Sequence, residues 1–329
     1  MGKILIIGSS NTDLITTMER FPAPGETIEG TGFFTAMGGK GANQAIAALR
    51  SGGDVSFVTS LGTDTNGQTA LEYYKQQGLD ISLSLVIDGV PSGTAVIWVN
   101  GEGENSIVIT PGANNLLSPE YIESLEDAIR EADLVVLQME IPYETVRVVC
   151  GLAHKNKRKV MLNVAPARKV DKDMLSEVEI LVVNETEAET ITGSKFSNNY
   201  IEEHDNDSTM SDYNDVISSF NIDVELMADR LLSMGPKVVL ITLGDKGCFL
   251  KTGNISYAIN AFTVVPVDTT AAGDTFCGAF AAEYLRGKDW GEILLFASAA
   301  AAISVTRIGA QPSIPRRDEI LPFLDKQNF

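Results

Sequence analysis

The chain has 329 residues with 44% hydrophobic content, enough for one large α/β domain or a core domain with a small appendage. Its formal net charge of -19 opposes non-specific binding to nucleic acid or to an anionic membrane, since both need a basic surface. Three scattered cysteines and two histidines argue against a disulfide framework, a histidine metal site and a serine-histidine triad. Base catalysis would then fall to a carboxylate, and a reducing cytoplasm is the expected setting.

In chain order, Met1-Gly2-Lys3 runs directly into Ile4-Leu5-Ile6-Ile7-Gly8, which reads as a buried strand closed by a glycine turn and not as a secretion signal. Gly8-Ser9-Ser10-Asn11-Thr12-Asp13 follows, where the loops of an open parallel sheet meet their ligands. Asn11 and Asp13 can hold hydroxyls there, or simply form the turn. Residues 27–37 have period-two character. Gly38-Gly39-Lys40-Gly41-Ala42-Asn43-Gln44-Ala45 then opens a helix over 42–50, its glycines permitting close backbone approach.

Residues 93–110 read as a hairpin around Asn100-Gly101-Glu102-Gly103. With 27–37 they are expected to form antiparallel strands outside the main sheet. Such a small sheet needs a ligand or a second copy of the chain to cover it, unless it is a bare edge hairpin.

From 133 onward apolar runs alternate with amphipathic stretches: strands over 133–139, 160–164 and 180–183, helices over 142–157 and 185–192. A helix over 226–234, a strand over 237–243 and alanine-rich helices over 272–285 and 292–305 continue the rhythm. It predicts an α/β fold with a mostly parallel sheet flanked by helices. Residues 194–221 are rich in Asn, Asp, Ser and Glu and read as a solvated acidic insertion. No apolar stretch approaches the length that spans a bilayer.

In 267–280, small residues lead into an apolar helix with Asp274 in its first turn. Backbone N–H groups at such a start can stabilise charge on a transferring phosphoryl group while the dipole keeps the carboxylate ionised. Asp274 can therefore accept a hydroxyl proton, or serve as a helix cap.

Taken together, Asn11 and Asp13, Gly38 to Ala45 and Asp268 to Asp274 resemble the two signature regions of the ribokinase/phosphofructokinase-B family of carbohydrate kinases. The likeness extends from Lys3 to the final helix and includes Leu137-Gln138-Met139-Glu140, Val183-Asn184-Glu185-Thr186-Glu187 and Ile241 to Gly247, leaving out 194–221. It implies that fold, with a core of 1–12, 38–92 and 111–329 and a β-strand lid of 13–37 and 93–110. It also implies phosphorylation of D-ribose at the 5-hydroxyl by ATP with Mg2+. Other sugar or nucleoside kinases and a non-catalytic sugar sensor are the alternatives.

Position by position, the resemblance implies that Asn11, Asp13, Gly39, Lys40, Asn43 and Glu140 hold the sugar, with Asp274 as base. Asn184, Thr242, Leu243, Gly244, Asp245, Lys246, Gly247, Gly273, Asp274 and Ser298 match the nucleotide site, and Ala271, Ala272 and Gly273 the anion hole. Asn184 and Glu187 match a motif associated with hydrated magnesium and phosphate, although such a pair also caps helices. The ribokinase branch carries a monovalent-cation site, matched by Asp268, Thr270, Ser304, Arg307, Gly309 and Ser313, so potassium activation is expected. Ser298 and Cys277 depart from the family, standing where a histidine and an asparagine can occur. A homodimer through the lid strands is implied as well.

Overall fold

The structure, a computed structural model, describes residues 2–196 and 222–327. Most of the expected acidic insertion therefore lies outside the described residues. Fourteen strands are present among them: β1 Lys3–Ile7, β2 Asn11–Thr17, β3 Gly32–Gly38, β4 Asp54–Val58, β5 Ser60–Gly62, β6 Leu85–Ile87, β7 Gly93–Val99, β8 Asn105–Thr110, β9 Leu134–Leu137, β10 Lys159–Asn163, β11 Ile180–Asn184, β12 Val238–Thr242, β13 Cys248–Thr252 and β14 Ser256–Ile259.

Eight of them form the main sheet in the order β14-β13-β12-β11-β10-β9-β1-β4. The pairings from β4 through β12 are parallel, and β13 and β14 add antiparallel strands at one edge. In β1, Ile4 and Ile6 face one apolar layer while Leu5 and Ile7 face the other. A strand buried on both faces reads as a continuous apolar run for that reason.

One layer receives the helices Lys40–Arg50, Ala272–Tyr284 and Trp290–Ser304, and the opposite layer receives Tyr143–Lys155 and Ile222–Leu232. The last of these begins four residues before the 226–234 expected from the sequence. The helix Thr65–Gln77, capped by Asp64, buries only Gly67, Ala70 and Tyr74, and so small an inward stripe leaves little periodic signal.

A second sheet has the order β3-β2-β7-β8. Its outer pairings, β2 with β3 and β7 with β8, are antiparallel as expected, but β2 and β7 run parallel in the middle. Asn11 and Asp13 are also not in a loop: they open β2. The chain makes the turn earlier, at Gly8 to Ser10, so both polar side chains are carried by a strand of the second sheet. Among the described residues no helix is long and apolar enough to cross a membrane.

Candidate active site

The carboxyl ends of β10, β11 and β12 are Asn163, Asn184 and Thr242, and all three line one cleft of about 230 Å³. The start of the helix Ala272–Tyr284 forms its opposite wall with Thr269, Ala271, Ala272, Gly273 and Asp274, while Lys40, Glu187 and Cys277 complete it. Strand ends of a parallel sheet facing a helix start give a concave, polar setting for an anionic ligand.

Asp274 is buried and gripped by two neighbouring residues of the helix Lys40–Arg50: Asn43 Nδ2 donates to Oδ2 at 2.9 Å and Gln44 Nε2 to Oδ1 at 3.0 Å. Ala271, the residue before its helix, has φ 61° and ψ 13°. That left-handed conformation costs a residue with a Cβ about 1 kcal/mol and turns the chain sharply into the helix. Of the three expected anion donors, Ala272 is already engaged, its N–H donating to the Thr269 carbonyl at 3.2 Å. Gly273 and Asp274 lie in the first turn, where N–H groups have no acceptor within the helix.

The residues expected to hold sugar come together between this helix start and the second sheet. Gly39 has φ 89°, and a Cβ there would stand 2.8 Å from the Asn11 nitrogen, so only glycine lets the helix start lie against β2. Glu140 Oε2 accepts the Ser9 hydroxyl at 2.6 Å and the Lys40 backbone N–H at 3.0 Å. Asn11 Oδ1 accepts from Asn114 Nδ2 at 2.8 Å, and the same amide joins both backbone groups of Ser10. Burial, followed by the charges of Glu140 and Asp274, pushes the Asp13 carboxyl up to about 7. Burial opposes the charge on Lys40, yet Asp274, Glu140 and Glu187 outweigh it and raise its pKa.

Asn184 and Glu187 cap the helix Glu185–Thr192, the plainer of their two expected roles. They form a capping box, with the Glu187 N–H donating to Asn184 Oδ1 and the Asn184 N–H to Glu187 Oε2, each at 2.8 Å. They also both line the cleft. Burial raises the Glu187 carboxyl to about 7 against the opposing Asn184 hydrogen bond and the Lys40 charge.

The nucleotide positions divide. Asn184, Thr242, Gly273 and Asp274 are on the cleft wall; Leu243, Gly244, Asp245, Lys246, Gly247 and Ser298 are not. The 243–247 turn closes on itself through the bonds of Leu243 N–H to Gly247 O and Lys246 N–H to Leu243 O. Ser298 lies buried beside Cys248, its Oγ 3.8 Å from Sγ. Burial, the largest influence, drives the thiol of Cys277 well above its ordinary pKa, making it a packing group of the wall.

Asp268 draws part of the expected cation set together, Oδ1 accepting the Thr270 N–H at 2.9 Å and Oδ2 the Gly309 N–H at 2.8 Å. Arg307 N–H bonds the Ser304 carbonyl at 3.1 Å, while its guanidinium pairs with Glu319. Ser313 sits further along, its hydroxyl on Ala310 O.

Reading the sequence for chemistry passes over Ser9, Gln44, Asn114 and Asn163. Gln44 stands inside the Gly38 to Ala45 motif; the others are common polar residues marked out by distant contacts, Asn114 with Ser10 and Asn11 at 104 and 103 positions, Ser9 with Glu140 at 131 and Asn163 with Gln44 at 119.

Residues 1–317 match the model of the pfkB family of carbohydrate kinases. The chain is 39% identical over 322 residues to a ribokinase from Haemophilus influenzae, covering 98% of each. It is 33% identical to a deoxyribokinase from Salmonella typhi over 98% of both. The structure of Arabidopsis thaliana ribokinase complexed with ribose and ATP superimposes with a TM-score of 0.85 at 31% identity, over 100% of this chain and 99% of that one. The chain belongs to the pfkB family of carbohydrate kinases.

Proposed function

We propose that the protein transfers the γ-phosphoryl group of ATP to the 5-hydroxyl of D-ribose, giving ribose 5-phosphate and ADP. The observation that carries this reading is the Asp274 carboxylate, held by Asn43 and Gln44 on the wall of the polar cleft and close to Asp13 of β2. The full-length likeness to ribokinases supplies the sugar.

In this reading Asn11, Asp13, Gly39, Lys40, Asn43 and Glu140 orient the ribose hydroxyls. Asp274 takes the proton of the 5-hydroxyl as that oxygen attacks the γ-phosphorus; the bond from phosphorus to the bridging oxygen breaks, and ADP leaves with the electron pair. Lys40 and the first-turn N–H groups of the helix at Ala272 offset charge on the phosphoryl oxygens.

Glu187 fits a role near magnesium, because a buried carboxyl pushed up to about 7 is relieved by a nearby cation. Asn184 and Glu187 would hold its hydration shell; bound magnesium supplies charge neutralisation to the phosphates. Potassium would sit among oxygens of Asp268, Thr270, Ser304, Arg307, Gly309 and Ser313, an all-oxygen set suited to a large hard cation. Asp268 ties this loop to the run that leads into the anion donors, which gives the ion a route to activity.

Across the lid, Phe33, Val96, Trp98 and Val108 are exposed on one face and Phe34, Ile107 and Ile109 on the other. A second copy is the natural cover for so much apolar surface on a four-stranded sheet. Light scattering at micromolar concentration should give a dimer, and Val108→Lys should give a monomer; a wild-type monomer would refute the pairing.

The deciding assay follows ADP release with ATP and magnesium over ribose, 2-deoxyribose, fructose, fructose phosphates, adenosine and keto-deoxygluconate, with potassium or tetramethylammonium. Ribose-dependent, potassium-stimulated turnover is expected. Turnover confined to another acceptor would change the substrate, and no turnover on any would favour a sugar sensor.

A further inference from the structure

Behind Asp274 the structure contains a line of three buried amides that the reaction as written does not use. Gln44 Nε2 donates one proton to Asp274 Oδ1 at 3.0 Å and the other to Asn163 Oδ1 at 3.1 Å. Gln44 Oε1 in turn accepts from Gln138 Nε2 at 2.7 Å. Gln44 and Gln138 are both 0% exposed, so neither amide can exchange these partners for water.

The direction of the line is determined by the carboxylate. An ionised carboxylate only accepts, so the Gln44 amide must turn its NH2 toward Asp274 and its oxygen toward Gln138. Gln138 must then present its own NH2, which leaves Gln138 Oε1 buried with no partner among the described residues. Reversing Gln44 would set its oxygen against the oxygens of both Asp274 and Asn163. A buried unsatisfied acceptor is costly, and it is tolerated here at the far end of a chain whose near end grips Asp274.

The reach of Gln44 depends on backbone proximity. Its helix and the helix of Asp274 touch at Gly278, where a Cβ would come 2.4 Å from the Gln44 carbonyl oxygen and 2.5 Å from Ala47 Cβ. Glycine at this crossing brings the amide of one helix within hydrogen-bond distance of the carboxylate of the other.

We propose that Gln44, backed by Gln138 and Asn163, is the positioning residue of the phosphoryl transfer: it holds the Asp274 carboxylate turned to meet the sugar hydroxyl. Asn43 bonds the other oxygen but also faces the sugar in the reading above, whereas Gln44 is turned entirely inward. The inference rests on the kinase reading of the site. Removing the Gln44 donor leaves Asp274 Oδ1 without that partner and frees the carboxylate to rotate. The other charged or titratable groups facing Asp274 are Asp13 from the lid, Lys40 from the helix of Gln44, Glu187 from the helix after β11, and Cys277 from its own helix. All are unchanged in the variants below.

The test compares Gln44→Met, close in volume but without the amide, and Gln138→Met with the unmutated enzyme, normalised to folded protein. For Gln44→Met, kcat should fall about tenfold while the KM for ribose and ATP stays within about twofold. Gln138→Met should lower kcat by less, again with the KM held. An unchanged kcat in Gln44→Met, or a KM raised as much as kcat is lowered, would overturn the proposal.

Should Gln44→Met fail to fold, the same contact is read in the unmutated chain from the side-chain amide resonance of Gln44. It should shift in Asp274→Asn; a resonance indifferent to that substitution would also overturn the proposal. Failure of the ribose reading shows itself differently, as absence of ribose-dependent ADP release by the unmutated enzyme.

Discussion

At the proposed sugar end of the cleft, side chains from widely separated segments are already bonded to one another: Ser9 to Glu140, Asn11 to Asn114, and Asn43 and Gln44 to Asp274. At the proposed nucleotide end, the 243–247 turn is held by its own backbone, and Gly244, Asp245 and Lys246 are exposed. One end is a preorganised polar lattice in which each group has a fixed direction. The other offers main chain and surface to a ligand that brings its own charge. The difference predicts that single side chains matter greatly at the first end and little at the second.

The strongest way to break the lattice is at its centre. Asp274→Asn keeps the size and the helix position but removes the proton acceptor, so kcat should fall by on the order of 10²–10⁴. Thermal unfolding should be little changed, because the new amide can still accept from Gln44 and donate to Asn43 once Asn43, whose Oδ1 has no partner among the described residues, flips. Near-normal turnover in a folded Asp274→Asn enzyme would remove Asp274 from the role of base.

A smaller effect tests whether the lid carboxyl belongs to the same lattice. Asp13 holds its proton up to about pH 7, chiefly through burial and then through Glu140 and Asp274. In the proposed reading its carboxylate accepts from a sugar hydroxyl, and protonation weakens that acceptor. The KM for ribose should therefore rise as pH falls below about 7, by at most about tenfold per unit. Asp13→Asn should bind ribose more weakly at pH 8 and show a flatter profile. The sign for stability is opposite. Between its ordinary value of 3.8 and about 7 the native carboxyl keeps a proton that the unfolded chain releases, so this group's contribution falls as pH rises through that window. Asp13→Asn should accordingly lose less stability between pH 5 and pH 8 than the unmutated chain, as thermal melts would report.

The same contrast explains what the sequence makes legible. Alternating apolar runs give the parallel sheet, because strands such as Ile4 to Ile7 are buried on both faces and leave no polar position. The glycines around Lys40 and the small residues before Asp274 mark the sugar end, since close approach restricts which residues fit. The parallel pairing of β2 with β7 is hidden, because pairing partners leave no local periodicity. So are Asn114 and Asn163, whose meaning lies in contacts 104 and 119 positions away. At the nucleotide end legibility fails for another reason: a turn that works through backbone constrains few side chains, so Asp245 and Lys246 match a family pattern without standing on the cleft wall.

That last mismatch yields the smallest expected effect. Lys246 is exposed, in a turn whose shape is set by the carbonyls of Leu243 and Gly244. A solvent-exposed ammonium beside a polyphosphate is screened by salt and loses side-chain entropy when it pairs, so such contacts contribute about 0–1 kcal/mol. Lys246→Ala should raise the KM for ATP by no more than about fivefold, with kcat unchanged and the effect shrinking as ionic strength rises. A loss approaching that of Asp274→Asn would mean that the turn closes onto the nucleotide and joins the lattice. The two ends of the cleft would then be one preorganised site, reached only when ATP is bound.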